Sequence, residues 1–64
     1  MSKIMEEALD QYASLTDELV MRVKNWPPNP GARWLQEYID LLRRRQQAAC
    51  EAIGAFRESC GLPA

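Results

Sequence analysis

Sixty-four residues with eight Lys or Arg, nine Asp or Glu and no His carry a formal charge of −1, so no net field draws the chain to nucleic acid or to an anionic lipid surface. The length allows one domain with a small core, and with two Cys and no His a structural zinc site would have to recruit carboxylates or a second chain. Scaffolds of this size exceed roughly 3–5 kcal/mol of stability only with disulfides, a metal or a partner subunit, and oligomerisation is the route this composition leaves open.

The first predicted element is a helix over about 3–24. Ser2 is suited to cap it, and Glu6 and Glu7 lie in the early turns where the helix dipole favours acidic side chains. Met5, Tyr12, Leu19 and Trp26 recur every seventh position, with Ala8/Leu9, Leu15/Thr16 and Arg22/Val23 between them, tracing one apolar seam. Glu18 and Arg22 are spaced for an i, i+4 pair. Val20 and Met21 fall outside the seam and extend its apolar surface near the helix end, where Lys24 complements the dipole and Asn25 tolerates left-handed backbone.

Residues 25–33, Asn-Trp-Pro-Pro-Asn-Pro-Gly-Ala-Arg, break the helix, because each proline lacks an N–H and pushes the residue before it out of the α region. Pro30 suits the first turn of a second helix, with Asn29 as its cap. Trp26 and Trp34 bracket the prolines and are suited to clasp the turn or to form a recognition tip.

The second helix is predicted over about 30–60, ended by Gly61 with Leu62 folding back and Pro63 preventing continuation. Leu35, Leu42, Ala49 and Phe56 step by seven, Tyr38/Ile39, Ala52/Ile53 and Ser59/Cys60 lie between them, and Trp34, Leu41, Ala48 and Ala55 form an apolar flank. An arc this wide asks for two neighbouring helices. Asp40 and Arg44 are spaced for an i, i+4 pair, and the small residues Ala48, Ala49, Ala52, Gly54 and Ala55 point to close helix approach. With the turn near Pro28, antiparallel partners place Leu19 beside Glu37 or Tyr38, Tyr12 beside Arg44 or Arg45 and Met5 beside Glu51 or Ala52, so that Ile53, Phe56, Cys60 and Leu62 overhang the shorter first helix. Arg45, on the seam, is expected to reach Asp10 or Glu7 as a polar layer.

The fold expected is therefore all-α, residues 1–64 forming a single antiparallel helical hairpin that completes a four-helix bundle as a homodimer. Trp34, Leu41, Leu42, Ala49, Ile53 and Phe56 are the expected self-interface, and Val20, Met21, Trp26, Arg33 and Trp34 the expected surface for a larger protein.

No catalytic constellation is present in the sequence: no His, no Gly-rich phosphate loop, and no base beside Cys50 or Cys60. Neither catalytic, cofactor nor metal residues are assigned. Cys50 and Cys60, ten positions apart on one helix, lie too far apart to bond to each other. No apolar run approaches the ~18 residues of a spanning helix and no signal-peptide core opens the chain, so the expected setting is cytoplasmic, without membrane or small-molecule substrate. The expected function is a non-enzymatic accessory protein, of bacterial or phage type, that binds and modulates, inhibits or chaperones a larger protein. The competing readings are an RNA- or DNA-binding dimer using the Arg43 to Arg45 cluster, with Arg43 and Arg44 as contacts, and a structural subunit of a secretion or virion assembly.

Overall fold

The computed structural model describes residues 3–61, in which two helices, α1 (Lys3–Lys24) and α2 (Ala32–Ser59), pack against each other as an antiparallel hairpin, with no strand among the described residues. The hairpin measures 48 × 17 × 11 Å. The expected roles of Ser2, Leu62 and Pro63 lie outside the described residues.

The turn follows proline chemistry, but its exit differs from the expectation. The N-cap of α2 is Gly31, in extended conformation and without a side-chain cap, so the helix opens at Ala32 and neither Asn29 nor Pro30 belongs to its first turn. A glycine in that turn would have to give up more backbone freedom than any other residue, and placing it outside the helix avoids this. Leu35 N–H then donates to the Gly31 carbonyl at 3.1 Å. At the end of α1, Asn25 takes no left-handed conformation; its side-chain Nδ2 and its backbone N–H both donate to the Met21 carbonyl, at 2.9 and 3.0 Å. At the far end Gly61 adopts φ 71, and the N–H groups of Cys60 and Gly61 donate to the carbonyls of Phe56 and Glu58, closing the last turn as glycine C-caps do.

Leu15, Leu19 and Leu41 form the core, with Tyr38 packed against them. Ala8, Ala48, Ala52 and Ala55 are also buried, which brings the helices close where the small residues lie. The register agrees with the sequence reading: Leu19 shares the core with Tyr38, and the Arg45 guanidinium lies over the Tyr12 ring, 5.0 Å from its centroid.

That contact corrects the expected Arg45 to Asp10 or Glu7 pair. Asp10 is two positions from Tyr12, about 200° around α1, whereas the Tyr12 ring is directly in reach and offers its negative face to the cation. Arg22 likewise crosses to Glu37 of α2, at 3.3 Å, instead of bonding Glu18 within its own helix. Asp40 accepts from Gln36 at 3.1 Å on the N-terminal side, not from Arg44.

Gly54 sits within α2, and a Cβ added there meets nothing within 4 Å, so it does not serve the close helix approach its neighbours do. Gly54→Ala should raise stability by about 0.5–1 kcal/mol, the usual helix-interior difference, read from urea melts followed by circular dichroism. A loss of stability would place another surface against Gly54.

Candidate interaction surface

Each helix carries two apolar rows, one position apart. In α2 the row Trp34, Tyr38, Leu41, Arg45, Ala48, Ala52 and Ala55 is buried or half-buried against α1, while Leu35, Ile39, Leu42, Gln46, Ile53 and Phe56 are exposed and Ala49 is half-buried. In α1 the row Ala8, Tyr12, Leu15, Leu19 and Arg22 turns inward, and Leu9, Ala13, Val20 and Val23 remain exposed beside a half-buried Thr16. Both outer rows advance by alternating steps of four and three, the spacing that keeps side chains on one helical seam.

The two outer rows share one side of the hairpin. Thr16, Val20 and Val23 of α1 line a shallow groove together with Leu42 and Arg45 of α2. Thr16 fits there because its hydroxyl donates to the Tyr12 carbonyl at 2.8 Å and needs no outside partner. The other side is charged: Glu18, Arg22, Glu37, Asp40 and Arg44 surround a depression over Leu41. The hairpin is therefore two-faced in the half nearer the turn.

The expected self-interface is divided by this arrangement. Leu41 is 7% exposed and belongs to the hairpin's own core. Trp34 is half-buried in an aromatic cluster at the turn. Leu42, Ile53 and Phe56 stay open, at 40, 53 and 54% exposure, and with the half-buried Ala49 they lie on the apolar face.

The expected partner surface is divided too. Trp26 packs edge-on against Trp34, centroids 4.4 Å apart, and against Tyr38 at 5.3 Å, while Trp34 stacks on Tyr38 at 6.0 Å. Arg22 lies over the outer Trp34 ring at 5.6 Å. This is the clasp that the flanking tryptophans suggest. Val20 faces the apolar groove, whereas Met21 sits with Arg22, Asn25, Trp34 and Glu37 on the charged side, because consecutive helical residues point about 100° apart. Arg33 is extended into solvent, its nearest carboxylate Glu37 at 4.0 Å.

Of the arginine run, Arg45 is half-buried on Tyr12, and Arg43 and Arg44 are exposed. Arg44 lies among Glu18, Glu37 and Asp40, so the three do not form one basic face. Cys50 and Cys60 are exposed free thiols. Among the described residues no group of three or more Cys, Asp or Glu side chains could hold a metal ion, and no helix is long and apolar enough to cross a membrane.

Sequence reasoning missed the outer row of α1. Its signal is present as the alternating spacing of Leu9, Ala13, Thr16, Val20 and Val23, but Leu9, Thr16 and Val23 also fit the neighbouring seam, which hides the second row. Compared with family models, curated proteins and solved structures, the chain matches none.

Proposed function

We propose that this chain is a non-enzymatic helical interaction module that pairs with a second copy of itself in a four-helix bundle and presents its turn to a larger protein, which it modulates or chaperones. The observation that carries the first part is the second apolar row on both helices, gathered on one face while charges occupy the other. Rows one residue apart are separated by about 100° around the helix, close to the right angle between neighbours in a square four-helix bundle and wider than the corner of a three-helix one. A second hairpin satisfies that angle on both helices at once.

The broad side of the hairpin, 48 Å by 17 Å, is roughly 800 Å² in plan, so a contact along its whole length would reach what each partner buries in a standard stable interface. The turn supports the second part: Trp26, Met21 and Arg33 are exposed at an aromatic cluster, and aromatic and arginine side chains dominate binding hot spots.

Sedimentation across a dilution series, with helicity recorded on the same samples, tests the reading. The expected result is a dimer of 7.3 kDa chains that loses helicity as it dissociates. A helical monomer at every concentration would overturn the self-pairing.

A further inference from the structure

We infer that the two copies stack with both turns at one end, about a two-fold axis along the hairpin, so that α1 of each copy lies antiparallel against α2 of the other. This rests on the four-helix reading above and specifies its geometry. The other two-fold stacking puts the turns at opposite ends and sets each helix against its own counterpart.

The outer rows match in the first stacking. Within one hairpin Tyr12 is level with Arg45 and Leu19 with Tyr38, and an axis along the hairpin carries those levels unchanged into the second copy. Val23 then meets Leu35, Val20 meets Ile39 and Thr16 meets Leu42, and farther from the turn Ala13 meets Gln46. Both rows advance by alternating steps of three and four, so the mismatch between facing residues never grows along the seam. Every residue is also level with its own copy, which puts both Phe56 rings in one layer.

Charge separates the two stackings. Just outside the outer rows, exposed positions recur every seventh residue: Asp10, Asp17 and Lys24 on α1, and Arg43, Cys50 and Arg57 on α2. Charges that flank an apolar seam set partner and orientation. Asp17 and Arg43 are free for this, because the ion pairs among the described residues join Arg22 and Arg33 to Glu37. With the turns at one end, Asp17 of each copy comes within about 3 Å of level with Arg43 of the other, and symmetry makes the pair twice. Lys24 faces the neutral Gln36, and Arg57 has one neighbour of each sign, Lys3 and Glu6.

With the turns at opposite ends, the reversal that covers the α1 row sets Leu9 against Val23 and Ala13 against Val20. It also brings Asp17 beside Asp17 and Arg43 beside Arg43, and like charges so placed oppose association. Ile53 and Phe56 then lie level with the other copy's turn, past the reach of its helices. The favoured stacking instead gathers the two Trp26 clusters into one tip, so a larger protein meets both at once.

The test links two different chains. In a background of Cys50→Ser and Cys60→Ala, a chain with Ala13→Cys and a mass-tagged chain with Gln46→Cys are mixed and mildly oxidised, at concentrations where the parent sediments as a dimer. Both positions are exposed in the hairpin, and helicity checks that each chain folds. The expected product is the mixed disulfide dimer. A second mixture, Ala13→Cys with Val20→Cys, reports the opposite-end stacking and should stay unlinked. Linkage of the second mixture alone, of Gln46→Cys to itself, or of neither mixture while the parent is a dimer would overturn the orientation and leave the interaction module standing. A parent that never exceeds monomer mass would overturn both.

Discussion

Leu19→Ala should abolish cooperative folding of the hairpin. Leu19 is 4% exposed and, with Leu15 and Leu41, makes up the whole set of large buried apolar side chains among the described residues, the remainder being alanines. Truncating a buried leucine to alanine removes about 2–5 kcal/mol, and a chain of this length has roughly 3–5 kcal/mol to lose. The expected far-UV spectrum is that of a largely unfolded chain, with a shallow thermal transition in place of a sigmoidal one. Leu42→Ala makes the contrast: the same atoms are removed from the position next to Leu41, but Leu42 is half open in the single hairpin, so the loss should fall on association and not on helix content at high concentration. A Leu19→Ala protein melting like the parent would mean that the core described above does not hold the hairpin together.

The contrast also marks how far the sequence is legible. The hairpin and its register can be read because prolines 27, 28 and 30 forbid a continuous helix and because pairing across so short a turn leaves little freedom to slide. Which row of α2 faces inward cannot be read. Leu35, Leu42 and Phe56 make as good a seam as Trp34, Leu41 and Ala48, and one residue of rotation exchanges them. The structure resolves the choice at the turn, where Trp34 and Tyr38 both close on Trp26; swinging the other row inward would pull two large rings off a third. Alanines 48, 52 and 55 then fall where the backbones approach, and the bulkier Ile53 and Phe56 are left outside.

The same rotation explains the divided candidate sites. Leu41 reads as assembly surface because composition counts it as one more leucine on a wide stripe, yet position decides whether that stripe is spent within the chain or outside it. Val20 and Met21, adjacent in sequence, read as one patch and belong to opposite sides. Arg45 invites a carboxylate partner because charge is the most visible feature of an arginine; its half-buried location over Tyr12 depends on a ring whose face no one-dimensional pattern displays.

Phe56→Asp should weaken self-association by about 10–10²-fold while leaving the inner core untouched. Fully burying a phenylalanine is worth roughly 1.5–3 kcal/mol, pairing adds about half of that burial at each of two copies, and each 1.4 kcal/mol is a tenfold change in the dissociation constant. The introduced carboxylates would in addition face apolar partners without compensating charge. Phe56 is 54% exposed in the single hairpin, so the open half of the ring is what pairing covers, and the observable is dissociation first, with helicity falling only as the unpaired hairpin, short of core, frays. Gln47→Asp supplies the control, since it adds the same charge to the same helix one position off the row, at an exposed site, and should leave the sedimenting mass where it was. A Phe56→Asp protein of unchanged mass and stability would show that the end of α2 around Phe56 takes no part in joining the copies. If only Phe56→Asp dissociates, the apolar face is committed to self-pairing, and the turn with its exposed Trp26 is the surface left for a larger protein.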